Sequence, residues 1–109
     1  PSDEYIYPNG VIPYKLDASL SSQRDLILRG MEQIAKHTCV KFREATASDH
    51  YYIRIFKGVG CYASIGRDPD FPEGLLSLGD GCYYIGTVVH ELMHVVGYYH
   101  EHTRHDRDR

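Results

Sequence analysis

The sequence predicts an α/β (or α+β) domain in which one helix backs a single mixed sheet and a second helix follows the last strand. Three observations favour this fold class. The chain has 109 residues, which suits one compact domain, and its 42% of hydrophobic and 25% of charged residues are typical of globular proteins. Segments with strand and helix periodicity also follow one another in the order strand, helix, several strands, helix.

The first predicted elements are a strand and a helix. The strand covers Val11–Leu16 and follows an Asn-Gly turn; Pro13 favours an edge or irregular position for it. Residues 21–37 have apolar side chains at helical spacing, with a serine at the start as the candidate N-cap. Gly30 would weaken this helix unless another element approaches it closely.

Several short strands are predicted after this helix. Alternating or β-branched and aromatic residues predict them at 39–43, 51–56, 61–65 and 75–78. A segment rich in proline, aspartate and glycine predicts a loop at 67–74.

The last clear element is a helix over residues 87–96. Thr87 is its candidate N-cap and Gly97 its predicted end. The polar tail at 101–109 has no periodicity that predicts an element.

Charge and hydropathy exclude two classes of function. Twelve lysines and arginines against 15 aspartates and glutamates give a net charge of −3, whereas a nucleic-acid module is normally basic. The longest apolar runs are far too short to span a membrane. We therefore expect neither a nucleic-acid partner nor a membrane span.

Histidine placement is the most informative feature, because five of the seven histidines lie in the last 20 residues. On a helix, His90 and His94 lie one turn apart on the same face, where two imidazoles can bind one zinc ion. Glu91 lies beside them and can act as a general base. Gly97 would let the chain turn back, so that His100 reaches the metal from another direction. Three histidine ligands leave one zinc position open, which is typical of a catalytic site.

The alternative is a buried amphipathic helix whose histidines find hydrogen-bond partners in the core and bind no metal. The neighbouring apolar residues argue against it, because two histidines and a glutamate would make a poor core without a metal.

The full spacing, HExxHxxGxxH, is the signature of metzincin zinc peptidases. The run that follows it, from Glu101 to Asp108, resembles the astacin family in particular. The resemblance covers essentially the whole chain, through segments at 3–5, 10–14, 39, 60–61, 81–82 and 86–87.

This resemblance implies that residues 1–109 are the N-terminal subdomain of an astacin-like catalytic domain, without the C-terminal subdomain. Such a metzincin-like subdomain has a mixed twisted sheet, a backing helix and a zinc-binding active-site helix. It implies a secreted zinc-dependent endopeptidase, made as a zymogen, that hydrolyses peptide bonds with zinc-activated water. Protein or peptide substrates would lie extended along an edge strand at 75–78. The alternative is a short or inactive zinc-binding module without turnover.

Residue by residue, the resemblance makes His90, His94 and His100 the ligands of one catalytic zinc and Glu91 the general base. Glu101 resembles a buried carboxylate that meets the mature N-terminus. His102 and His105 are not expected to be ligands, because three histidines complete the protein's share of the site.

The three cysteines indicate the compartment. The resemblance pairs Cys61 with Cys82 and makes Cys39 the first half of a second bridge; the alternative for Cys39 is a buried free thiol. Disulfides form in oxidising compartments, so the sequence predicts a secreted, extracellular protein.

Overall fold

The computed structural model of the chain describes residues 10–65 and 73–107, with side chains given in these ranges except at 65, 73 and 99–107. These ranges contain a 3-10 helix at Ala18–Gln23, five strands and two α-helices. The strands and helices are β1 (Val11–Leu16), α1 (Arg24–His37), β2 (Lys41–Glu44), β3 (Tyr52–Phe56), β4 (Cys61–Ile65), β5 (Glu73–Leu78) and α2 (Ile85–Arg107).

The five strands form one sheet in the order β2-β1-β3-β5-β4. The pairs β1–β2, β1–β3 and β3–β5 are parallel, whereas β4 runs antiparallel to β5 at one edge. Parallel neighbours need crossover connections, and α1 supplies the one between β1 and β2. The predicted fold class, a mixed sheet with two helices, is confirmed.

One face of the sheet packs against both helices and forms the core. Burial alternates along β3, where Ile53 and Ile55 are buried and Arg54 is exposed, as expected for a strand with one covered face. The other core members come from β1, β5, the inner faces of the helices and the segments that lead into β2 and α2: Ile12, Tyr14, Leu20, Ile27, Met31, Ile34, Val40, Leu76, Leu78, Cys82, Val88, Leu92, Val95 and Val96.

The start of α1 differs from the prediction. The Asp17 carboxylate accepts a hydrogen bond from the Ser19 backbone N–H (3.1 Å) and caps the 3-10 helix, which runs directly into α1 at Arg24. The residue before α1, Gln23, makes no side-chain capping bond. The prediction of a serine N-cap is therefore wrong. Asp17 is the capping residue, and it caps the 3-10 helix that precedes α1. The predicted inner face of α1 is confirmed at Ile27, Met31 and Ile34, which are buried.

Pro13 does not lie in an edge strand, because β1 has β2 on one side and β3 on the other. The Tyr14 carbonyl accepts a hydrogen bond from the Ala45 N–H (2.8 Å) on the β2 side, so the backbone of Pro13 faces β3. Pairing with β3 begins only at Tyr14, opposite Ile53. The missing N–H of Pro13 therefore falls just before that ladder and costs no bond between strands.

The start of α2 is two residues earlier than predicted. The Tyr84 carbonyl accepts a hydrogen bond from the Val88 N–H (3.0 Å), which closes the first helical turn at Ile85. Thr87 therefore lies inside the helix and is not its N-cap.

The predicted end of this helix at Gly97 is also wrong, because α2 continues without interruption to Arg107. Glycine lowers the cost of ending a helix but does not enforce an end. A Cβ placed at Gly97 would meet no atom within 4 Å, so no described element presses on the helix there. In the described part of the chain, no helix is both long and apolar enough to cross a membrane.

Candidate metal centre

His90 and His94 lie one turn apart on the solvent-facing side of α2, as their spacing predicts. Their Nε2 atoms are 3.1 Å apart, and the two rings meet edge to face with centroids 4.7 Å apart. Two nitrogens bound to one tetrahedral zinc, at about 2.0–2.1 Å each, lie about 3.3 Å from each other. The two imidazoles therefore fit as a pair of ligands to a single zinc ion.

The opposite face of α2 fixes this helix to the core. Val88, Leu92 and Val95 are each at most 1% exposed, whereas His90 and His94 are exposed. Residues at these positions recur at helical spacing, so one stripe is buried while the other presents the imidazoles. The two histidines are thus carried on a helix that apolar packing holds against the core.

Glu91 is a buried acidic residue next to the first histidine, with 8% of its surface exposed. Among the described residues it makes no hydrogen bond or ion pair. A buried carboxylate without a partner lowers stability, so packing does not explain its presence. Its position, one residue beyond His90, suits a group that acts on water at the metal site.

The predicted third ligand is not brought to the other two by the backbone described above. Since α2 runs through Gly97, the backbone of His100 lies six residues, or about 9 Å along the helix axis, beyond His94. The side chain of His100 is outside the described ones, as are Glu101, His102 and His105. Among the side chains that the structure gives, no group of three or more potential ligands occurs.

The sheet corrects the prediction that residues 75–78 form the edge strand of a substrate cleft. These residues belong to β5, which pairs with β3 on one side and with β4 on the other. The outer strand at this end of the sheet is β4. Residue types could not separate the two strands, because the order of strands depends on long-range pairing rather than local composition.

The disulfide that the family resemblance implied is confirmed between Cys61 and Cys82. It joins the first residue of β4 to the segment just before α2, and thus ties the outer strand to the histidine-bearing helix. Cys39 is an exposed free thiol in the described structure, which is at odds with the buried alternative.

Two features near this disulfide could not be assigned from sequence. The Tyr83 hydroxyl donates a hydrogen bond to the Leu78 carbonyl (3.0 Å), whereas Tyr84 is 69% exposed. Tyr83 therefore has a structural contact and Tyr84 faces the solvent.

The second feature is Ser77, which is completely buried and hydrogen-bonds to the turn before β4. A serine within an apolar strand was the one signal that could have drawn attention to it.

Comparison with known proteins identifies the family of this chain. The model of the Astacin peptidase family matches residues 2–109, so the chain belongs to the astacin family. The resemblance stated from the sequence is thereby confirmed. Family membership implies a zinc cofactor, in keeping with the chemistry of the two placed imidazoles.

Curated relatives include bone morphogenetic protein 1 of Xenopus laevis, 44% identical over 106 residues, which are 96% of this chain and 15% of that protein. Zinc metalloproteinase nas-15 of Caenorhabditis elegans is 41% identical over 94% of this chain and 18% of its own length. Astacin-like metalloprotease toxin 5 of Loxosceles gaucho is 42% identical over 97% of this chain and 56% of its own length. The chain thus spans only part of each of these relatives.

Among solved structures, high choriolytic enzyme 1 of Oryzias latipes, a hatching enzyme zinc-protease, superposes with a TM-score of 0.69. It is 28% identical, and the match covers 84% of this chain and 48% of that one. Myroilysin, at 18% identity and a TM-score of 0.56, shares the fold. The chain again corresponds to about half of each structure.

Proposed function

We propose that this chain carries the metal-binding helix of a secreted zinc-dependent endopeptidase. One observation carries the proposal: the Nε2 atoms of His90 and His94 lie 3.1 Å apart on the exposed face of α2, and the residue that follows His90, Glu91, is a buried glutamate. Two imidazoles and a carboxylate in this arrangement suit metal-assisted hydrolysis.

We assign His100 as the third ligand of a single zinc ion, together with His90 and His94. This assignment requires the chain to leave the helix after His94, and Gly97 is the residue at which this costs least, because glycine adopts positive φ without steric penalty. A Cβ built at Gly97 would meet no atom within 4 Å, so no described neighbour requires a glycine there for packing.

When bound, zinc acts as a Lewis acid that polarises the peptide carbonyl and makes water more acidic. Glu91 accepts the proton of the attacking water and then returns it to the leaving amine. Glu91 directly follows His90 in α2 and is only 8% exposed, so bulk water has little access to its side chain. His90 and His94 hold the metal and take no part in proton transfer.

We propose that the peptide substrate lies extended along the outer edge of β4. This edge has no pairing partner among the described strands, and α2 lies against the same strand. Main-chain hydrogen bonds to a free sheet edge hold a peptide straight without selecting its side chains. An antiparallel outer strand beside the metal helix therefore suits a protease that accepts varied sequences.

Secretion is proposed on two grounds. The Cys61–Cys82 disulfide requires an oxidising compartment, and one relative in the same family is a toxin, a class of protein that acts outside its cell of origin. The zymogen form that the family resemblance implies stays a prediction, because no described residue bears on it.

The test uses the whole protein and a quenched fluorescent peptide. We expect cleavage that a chelator abolishes and zinc restores, with about one zinc per chain by elemental analysis. Glu91→Gln should lower kcat by roughly 10²–10⁴-fold while zinc content is retained, because the carboxylate moves the proton and does not hold the metal. Glu32→Gln is the matched control, since Glu32 is an exposed glutamate on α1.

Two results would contradict the proposal. Whole protein that binds zinc without cleaving any peptide would make this a zinc-binding module. Unchanged turnover in Glu91→Gln would remove Glu91 from the proton-transfer step.

A further inference from the structure

Ser77 in β5 is a buried polar residue whose side chain points away from the helices, since its neighbours Leu76 and Leu78 lie in the core. Its Oγ accepts a hydrogen bond from the Gly58 N–H (3.1 Å) and donates one to the Gly60 carbonyl (2.9 Å). A single hydroxyl thus links two glycines of the turn between β3 and β4, which covers residues 57–60. The turn covers Ser77 completely, leaving it 0% exposed.

The turn packs on the end of β5 at backbone contact distance. A Cβ at Gly58 would lie 2.6 Å from the Ser77 Oγ, and one at Gly79 would collide with the Gly58 carbonyl. The Gly79 N–H donates to the Gly60 carbonyl (3.0 Å), which already accepts from Ser77. We call this arrangement of Gly58, Gly60, Ser77 and Gly79 the serine brace.

The serine brace lies next to the parts of the molecule that the proposed function uses. Gly60 leads directly into β4 at Cys61, which pairs with Leu78 of β5 and forms the disulfide with Cys82. Cys82 in turn precedes α2 by three residues. The first residue of the outer strand is therefore held by the disulfide on the side of the metal helix and by the serine brace on the side of the turn.

An ordinary turn in this place would need no side-chain hydroxyl. Burying a serine here lowers stability unless its hydroxyl is hydrogen-bonded, whereas alanine at the same place in the strand would need no such bond. The bonds of Ser77 go to backbone groups of Gly58 and Gly60, the second of which directly precedes β4. The hydroxyl is thus placed to control the position of the outer strand relative to His90 and His94.

The geometry points to Ser77 as a positioning residue: through the serine brace it holds the outer edge of β4 in place for an extended peptide. This inference rests on the proposed function and names a residue that acts on substrate binding without touching the substrate. The inference makes two properties separable. Binding of a long peptide along β4 depends on the serine brace, whereas zinc binding does not.

The experiment compares Ser77→Ala with the unaltered protein, both as zinc-loaded whole protein, on two quenched peptides. One peptide is long enough to pair along β4, and the other has only the residues next to the cleaved bond. Ser77→Ala should raise KM for the long peptide about five- to tenfold, because both hydrogen bonds of the hydroxyl are lost and the edge of β4 is then less well placed for the peptide. KM for the short peptide and zinc content should stay unchanged. Amide hydrogen exchange across residues 57–65 should become faster.

Val59→Ala is the matched control, because Val59 lies on the same turn with 96% of its surface exposed and takes no part in the brace. It should change neither peptide's KM nor the exchange rates. If Ser77→Ala fails to fold, Gly58→Ala supplies a second variant, since its Cβ would displace the Ser77 hydroxyl. Gly58→Ala should raise the long-peptide KM in the same way.

Equal KM changes for both peptides, or exchange over 57–65 that matches the unaltered protein, would overturn the role of Ser77. If the unaltered protein cleaves neither peptide, the proposed function fails. The exchange measurement then still decides whether the brace holds β4.

Discussion

Gly30 of α1 lies directly against Val88 of α2, the helix that carries His90 and His94. A Cβ built at Gly30 would come within 2.8 Å of Val88 Cγ1 and 3.5 Å of Leu92 Cδ1. Both Val88 and Leu92 are fully buried and have no free space to move into. The absent side chain at Gly30 is therefore what allows the histidine-bearing helix to pack this close to the backing helix.

The first prediction concerns Gly30→Ala. In an exposed helix interior this change would stabilise by about 1 kcal/mol. Here we expect the opposite sign, a loss of about 1–3 kcal/mol in the free energy of unfolding, because the new methyl group overpacks a buried contact with a stiff β-branched side chain. Denaturant unfolding followed by far-UV circular dichroism measures it.

Gly86→Ala is the control for Gly30→Ala. A Cβ at Gly86 would meet no atom within 4 Å, so the free energy of unfolding should stay within about 0.5 kcal/mol or rise. A stabilised Gly30→Ala variant would mean that the two helices are farther apart than described.

The second prediction concerns Gly97, which lies inside a continuous helix here although the proposed site needs the chain to turn after His94. Gly97→Ala should leave the metal-free protein at least as stable, because alanine favours the straight helix. It should weaken zinc binding about tenfold, since a residue with a Cβ pays about 1–2 kcal/mol to adopt the left-handed conformation that a turn there requires. Competition against a zinc-sensitive dye measures the affinity.

Gly86→Ala again provides the control, because it lies on the same helix ahead of both histidines. Zinc affinity that is unchanged in Gly97→Ala would show that His100 does not reach the metal through a left-handed turn at Gly97.

Local signals predicted the elements well. β1 and β4 begin and end where predicted, because alternation and flanking glycines act over a few residues. The close approach of another element, named from the sequence as a reason for a glycine inside α1, is that of α2 at Gly30. The placement of His90 and His94 side by side followed from helical spacing alone, since a four-residue separation puts two side chains on one face.

The predicted edge position of residues 75–78 and the predicted end of α2 were wrong, because both depend on neighbours that are distant in the sequence or absent beside the helix. The order of β4 and β5 is decided by which strand pairs with β3, and no property of residues 75–78 contains that information. The serine brace was missed for the same reason, because Ser77 bonds to residues 17 and 19 positions away. The end of α2 depends on what lies beside Gly97, which glycine's own preferences do not specify.

The third prediction concerns the Cys61–Cys82 disulfide, whose cysteines are 21 residues apart. Cross-linking a loop of this size restricts the unfolded chain and stabilises the fold by about 3 kcal/mol in the chain-entropy model. The double variant Cys61→Ser/Cys82→Ser should lose about that much free energy of unfolding. Reduction of the unaltered protein should reproduce the loss, and further reduction of the double variant should add nothing to it.

Because the same disulfide ties β4 to the segment before α2, the double variant should also show faster amide exchange in β4. Exchange that speeds up only in β2, at the opposite edge of the sheet, would contradict this account of how the outer strand is held.

The fourth prediction concerns pH. Asp49 receives two hydrogen bonds from the Arg43 guanidinium (2.7 and 2.8 Å) and one from the Thr46 N–H (2.6 Å). The Arg43 bonds, followed by the Thr46 bond, hold the pKa of the Asp49 carboxyl well below its usual range. The unfolded chain takes up this proton near pH 4, whereas the folded chain resists it to lower pH. The carboxylate therefore stabilises the fold fully above about pH 4, and this contribution disappears as the pH falls through the folded pKa.

Asp49→Asn should accordingly lower Tm at neutral pH, and the difference from the unaltered protein should shrink steadily below about pH 4. Thermal unfolding at a series of pH values between neutral and strongly acidic checks both the sign and the window. Asp80→Asn is the matched control, because the Asp80 side chain is 88% exposed and its ion pair with Lys57 lies at the surface, where such pairs contribute little. A Tm difference for Asp49→Asn that stayed constant with pH would show that the Arg43–Asp49 contact is not formed in solution.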